Sequence, residues 1–166
     1  MSERPHFRFY PGAYVEGGPF ESSEETCDVC KRAAVWMFTG VIYKEGEDDV
    51  NVCARCIADG GLRDVAPNYS LHDMEFEAPV EPGLAREVEQ CTPGFATWNA
   101  FSWPVRNGVP LAFIGYGSDA ALQTVEAEQA IRYAADEWEI DELDPQHALL
   151  FRTLDGETTI AVLDFD

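Results

Sequence analysis

The sequence is short of positive charge. Eleven lysines and arginines face 31 acids, a formal net charge of −20. A field of that sign repels phosphate, which argues against non-specific binding to nucleic acid or to an anionic membrane surface. Long apolar runs are also missing: nothing approaches the roughly eighteen residues of a membrane helix. Residues 1–12 hold no apolar core behind a basic end, so no secretory signal is read there and a cytoplasmic location is expected. There is no Gly-Lys-Ser/Thr phosphate loop and no Gly-x-Ser-x-Gly nucleophile elbow. The three histidines, His6, His72 and His147, form no metal-binding spacing. His72-Asp73 is a neighbouring base and acid, but adjacent side chains usually point apart. What remains is an ordinary globular composition, 46% hydrophobic and 25% charged over 166 residues, which excludes a mostly disordered chain.

The five cysteines are an odd number. Four form two matched pairs, Cys27-Asp28-Val29-Cys30 and Cys53-Ala54-Arg55-Cys56, with 22 residues between them. Two residues between cysteines let a tight turn aim both sulfurs at one ion. Two such turns complete a tetrahedron with Zn–S near ~2.3 Å, so Cys27, Cys30, Cys53 and Cys56 are read as ligands of a structural zinc ion. A redox dithiol and a catalytic metal are the competing uses. Two matched pairs are one more than a redox motif needs, and four thiolates leave no open position for catalysis. Disulfides are disfavoured in a reducing compartment. The spacer carries β-prone runs at 33–38 and 41–43, a polar turn at 45–49 and a lead-in at 50–52. A short helix over 54–58, stopped by Gly60-Gly61, then carries the second pair on its first turn, where free N–H groups favour thiolates. Knuckle, hairpin and short helix in that order describe a treble-clef-like module, with Trp36 and Tyr43 expected to pack over the site. Leu84, Val88 and Cys91 recur at helical spacing over Pro82–Cys91, which makes Cys91 a core thiol.

Elsewhere, residues 7–14 read as an edge strand and Gly17-Gly18-Pro19 as a link. Residues 67–79 read as a connecting segment. Thr92-Pro93 is a helix start, for a helix carrying Phe95, Trp98 and Phe101 until Pro104. Residues 110–115 read as a strand. Thr124 caps a helix with the apolar stripe Ala127, Ile131, Ala134, Ala135 and Trp138. Residues 148–153 and 158–163 flank an Asp155-Gly156 turn as a terminal hairpin. Gly115-Tyr116-Gly117-Ser118-Asp119-Ala120 matches a dinucleotide fingerprint, but it lacks the parallel βαβ setting and is read as a glycine-rich turn. The acids Asp136, Glu137, Glu139, Asp141, Glu142 and Asp144 lack calcium-loop spacing and read as a solvated face, or as a docking surface for a cationic partner.

Phe7-Arg8-Phe9-Tyr10-Pro11, the first cysteine pair, Phe38-Thr39-Gly40, Cys53-Ala54-Arg55-Cys56-Ile57-Ala58-Asp59-Gly60, Thr92-Pro93-Gly94-Phe95 with Trp98 and Trp103, and Ala112-Phe113-Ile114-Gly115 follow one another along the chain. In that order they resemble the bacterial CbrC family, named after a protein linked to colicin tolerance. The resemblance spans nearly the whole chain and implies a zinc-binding protein with no established reaction. Similar proteins carry cysteines in a C-terminal Leu-Phe-Arg-Cys segment. Here Thr153 stands in that place, and Phe165 and Asn107 likewise stand where cysteine is expected.

The reading is an α+β protein: an N-terminal strand and link over 1–24, a treble-clef-like zinc module over 25–66, and an α+β body over 67–166 with a C-terminal antiparallel hairpin. One compact domain overall is the alternative. The expected function is a non-enzymatic cytoplasmic protein of interaction or of stress and toxin tolerance of the CbrC type, with zinc as cofactor and an unknown protein partner. An acidic immunity-like protein neutralising a cationic toxin is the alternative, and an enzyme of unknown reaction the second alternative. Asp59, Phe95, Trp98 and Trp103 mark the candidate binding surface.

Overall fold

A computed structural model of the chain describes residues 4–42, 50–67 and 69–165. Two compact units emerge: Met1–His72 with Pro82–Ala96, and Asp73–Glu81 with Thr97–Asp166. Both mix short strands with helices, so the fold is α+β.

In the first unit Phe7, Phe9 and Tyr10 are buried. Burial at two successive positions does not suit a one-sided strand, and Pro11 has no N–H for a ladder. The edge strand expected over 7–14 is therefore replaced by turns. Tyr10 N–H donates to the Phe7 carbonyl at 3.0 Å and Ala13 N–H to that of Tyr10 at 3.2 Å. Strand β1 (Phe20–Ser22) pairs antiparallel with β2 (Trp36–Phe38), setting Phe20 opposite Phe38 and Ser22 opposite Trp36. The hairpin expected within the cysteine spacer is present as a Met37–Cys53 bridge and two backbone bonds. Phe38 N–H donates to Val52 O at 3.0 Å, and Val50 N–H to Ile42 O at 3.3 Å. Tyr43 and the turn at 45–49 lie outside the described residues. Helix α1 (Ala54–Ala58) follows, and Gly60 ends it with φ 71°, a left-handed conformation open to glycine. Helix α2 (Pro82–Cys91) forms where the apolar spacing places it, buries Val88 and packs against α1.

The helix expected from Thr92 does not form. Thr92 instead closes α2: its Oγ1 donates to the Glu87 carbonyl at 2.9 Å, and the residue is buried. A threonine before proline carries the same letters whether it opens one helix or closes another. Packing decided it, because Gly94 lies so close to the Leu71 carbonyl that no Cβ fits there.

In the second unit, β3 (Met74–Phe76) arises within the expected connecting segment. It pairs in parallel with β4 (Phe101–Trp103), so Phe101 sits on a strand and not on a helix. Strands β5 (Val105–Arg106) and β6 (Val109–Pro110) form a hairpin around Asn107 and Gly108, whose φ values are 53° and 76°. Asn-Gly with both residues left-handed is the favoured two-residue turn. Strands β7 (Ala112–Tyr116), β8 (Ala148–Arg152) and β9 (Thr159–Leu163) make an antiparallel sheet with β8 central. The terminal hairpin thus forms as expected. Asp155 shapes its turn by accepting from Thr153 Oγ1 at 2.5 Å and from Glu157 N–H at 3.0 Å.

Ala148 through Phe151 are all buried, and Phe151 meets Trp103, Phe113 and Phe101 at ring separations of 5.3, 5.6 and 6.1 Å. Helix α3 (Val125–Glu137) packs on β9, and its Thr124 cap accepts from Ala127 N–H at 3.2 Å. Ala127, Ala134 and Ala135 are buried as expected, whereas Trp138 is 69% exposed. It lies just past the last helical turn, where the stripe stops pointing at the sheet. The glycine-rich stretch after β7 is a turn: Asp119 accepts from Tyr116 N–H at 2.8 Å, and β8 returns antiparallel.

Candidate metal centre

The first cysteine pair sits on a knuckle closed by its own backbone. Thr26 bridges Ala33, Cys27 N–H donates to Arg32 O at 2.9 Å, and Lys31 N–H donates to Cys27 O at 2.8 Å. Lys31 turns the chain back at φ 55°. Cys53 caps α1 and Cys56 lies within it, so a single helical turn presents both sulfurs of the second pair on one side. Asp28 ties the two halves together. Its N–H donates to Asn51 O at 2.7 Å, and its Oδ2 accepts from Asn51 N–H at 2.8 Å. Cys53 N–H also donates to Cys27 Sγ at 3.3 Å. Gly61 lets the next loop close against the knuckle, since a Cβ there would lie 3.0 Å from Val29 Cγ1.

All four sulfurs lie within 4.8 Å of one another, and Cys27, Cys53 and Cys56 are buried. None is in a disulfide. Four thiolates at ~2.3 Å from a central ion have sulfur–sulfur edges of about 3.8 Å, so the arrangement needs little contraction to hold one. Burial pushes the Cys53 and Cys56 thiols up, and the neighbouring cysteines add to the rise at Cys56. At Cys30 burial acts the same way, but the Arg32 N–H and hydrogen bonds within the cluster outweigh it and bring the thiol down to about 7. Burial and neighbouring sulfur thus favour the protonated form at Cys56, and a divalent cation bound among the sulfurs reverses that preference and releases protons.

Asp28 stands outside the candidate residues expected from the sequence. Its signal was an acid inside the first pair, where a side chain can reach the opposing arm. Asp28→Ala is expected to weaken metal retention about tenfold, by loosening the second arm against the first. Competition with a chromophoric chelator measures it, and unchanged competition removes the positioning role.

The other candidates divide between the two units. Asp59 is exposed at the end of α1 and lines a surface pocket of about 610 Å³ with Cys30, Cys53, Cys56, Arg32 and Arg55. Phe95 belongs to the first unit, where it meets Tyr10 and His72 at 5.9 and 5.4 Å. Trp98 belongs to the second and is 61% exposed, while Trp103 is fully buried there, its Nε1–H donating to Leu111 O at 2.9 Å. Trp103 is therefore core and not surface. Cys91 is half-buried beside Gly60, and burial raises its thiol.

His72 is also structural. It is buried, its Nε2 bonds the Thr92 carbonyl at 3.1 Å, and burial lowers its pKa to about 4 against the pull of the Thr92 and Val88 carbonyls. Asp73 is exposed. The unfolded chain binds a proton at this ring near pH 6.5 and the folded chain near 4. Stability from neutral His72 is thus complete above 6.5 and lost as pH falls from 6.5 towards 4, by about 3 kcal/mol. Between pH 7.5 and 4 the native chain is expected to lose about that much more than His72→Gln in urea unfolding. Parallel losses in the two chains would contradict it.

The model of the uncharacterised protein family UPF0167 matches residues 4–165. A UPF0167 protein of Mycobacterium tuberculosis and one of Mycobacterium bovis are each 28% identical over 97% of this chain and 93% of their own length. A UPF0167 protein of Pseudomonas aeruginosa is 31% identical over 80% of this chain and 74% of its own. No solved structure matches the chain. With the match running nearly from end to end, the chain belongs to the UPF0167 family.

Proposed function

We propose that Cys27, Cys30, Cys53 and Cys56 bind one structural zinc ion in a treble-clef-like module, within a non-enzymatic cytoplasmic protein that acts by binding another protein. The observation that carries this is the mutual approach of four unbridged sulfurs within 4.8 Å, three of them buried. Four soft donors suit zinc, and a set completed by protein leaves no position for a substrate. The loaded site carries two net negative charges and adds to an already acidic chain. His72 is held by backbone carbonyls, which leaves the enzyme reading without its base.

Elemental analysis of natively purified protein tests this, paired with thiol counting before and after denaturation. One zinc per chain with four thiols protected is the expected result. Iron in its place would replace zinc with another four-thiolate metal. No metal, with reactive thiols, would return the two cysteine pairs to a redox role.

The net charge of −20 supports a second reading, in which the partner is a cationic toxin and the role is tolerance of the CbrC type. Such a partner would be steered at high rate, with affinity falling as salt rises. Binding that is indifferent to salt removes it.

A further inference from the structure

Arg4 is one of 11 bases in a chain with 31 acids, yet its guanidinium rests on aromatic rings. Its Cζ lies 4.2 Å from the Trp36 ring centre and 5.4 Å from that of Tyr14. Among the described residues the ion pairs are Arg8–Glu87 and Lys31–Asp28, and Arg4 joins neither. The two rings meet edge to face at 5.3 Å and 75°, which makes a two-walled corner. The corner is fixed from behind. Tyr14 stacks on Phe20 at 5.2 Å, Phe20 stacks on Phe7 at 5.4 Å, and both phenylalanines are buried. Trp36 is held on β2 opposite Ser22. The Tyr14 hydroxyl is buried with no hydrogen-bond partner among the described residues. A planar cation covers both ring faces, as Arg4 does in the free chain.

We propose that the Tyr14–Trp36 corner is a binding site for an arginine side chain on a basic partner segment, occupied in the free chain by Arg4. Planar guanidinium stacks well on such rings. Arg4 is exposed and, among the described residues, is held by ring faces without a carboxylate. Its displacement is therefore an exchange of like for like, and the negative field of the chain concentrates the incoming cation. The site includes none of the four cysteines, so its failure leaves the zinc reading standing.

The test is two-dimensional NMR of the full chain, titrated with a capped Gly-Arg-Gly peptide. A saturating shift of the Trp36 indole N–H is expected. Arg4→Ala removes the internal competitor and is expected to bind about two- to fivefold tighter. Adding Trp36→Leu to Arg4→Ala is expected to abolish saturation, read in both chains on the backbone amides of Tyr14 and Ser22 that flank the corner. No saturating Trp36 shift in Arg4→Ala overturns the proposal, as does equal affinity in a folded Arg4→Ala/Trp36→Leu chain. Shifts spread over the acidic residues with Trp36 unmoved overturn it too. Arg4→Ala alters an exposed side chain, so that arm holds whether or not Trp36→Leu folds.

Discussion

Cys56→Ser is expected to abolish stoichiometric zinc and, with it, the fold of the first unit. Binding to a structural four-thiolate site supplies about 10–16 kcal/mol at neutral pH, and a whole domain is stable by only about 5–15 kcal/mol. Removing one of four ligands removes the closed donor set, and serine at a buried position offers a harder, poorly ionised oxygen in its place. The elements around the site are too small to compensate. α1 has five residues, and β1 and β2 have three each. Without the ion, the Asp28–Asn51 bonds and the Cys53 N–H to sulfur bond tie the first pair to the second. Zinc content and the dispersion of the Val52 and Ile57 methyl resonances read the outcome. Full zinc with unchanged dispersion would show that the four sulfurs are not a ligand set. A strong chelator applied to the native chain should reproduce the variant's spectrum.

Trp103→Ala is expected to destabilise the second unit by about 3–5 kcal/mol. The side chain is fully buried against Phe101 and Phe151, at ring separations of 5.8 and 5.3 Å. Truncation leaves a cavity that the sheet cannot close, and the Leu111 carbonyl loses the indole donor. Trp103→Phe keeps most of the volume and should cost less than half as much. Trp98→Ala provides the contrast: its ring is 61% exposed, and the change should stay within about 0.5 kcal/mol. Urea unfolding of the three variants measures the order. Equal losses for Trp98→Ala and Trp103→Ala would contradict the burial that separates them.

Buried Asp164 shows how the second unit fixes the segment between these tryptophans. Its carboxylate accepts from the backbone N–H groups of Trp98 and Asn99 at 2.6 and 3.0 Å, across more than sixty residues of sequence. Nothing in the sequence around Asp164 signals that role.

Features whose physics is local follow from the amino-acid order alone. The two Cys-x-x-Cys pairs brought four sulfurs together because the spacing already encodes the turns that aim them. α2, α3 with its Thr124 cap, and the terminal hairpin around Asp155-Gly156 also formed where periodicity and turn chemistry put them. The Asn107-Gly108 turn is equally local, since Asn-Gly favours the two-residue turn by itself, although it lies outside the elements expected above. Which apolar residues face inward, and which partner each short strand takes, depend on contacts between distant parts of the chain. Phe7 to Tyr14 was apolar enough for a strand, yet its turns bury neighbouring side chains together. β3 could not be read before β4 lay beside it, since three residues carry too little periodicity. Thr92 could cap in either direction, and Trp98 and Trp103 had the same letter with opposite burial. Burial is settled by surfaces far apart in the chain, and no window of sequence contains both sides of such a contact.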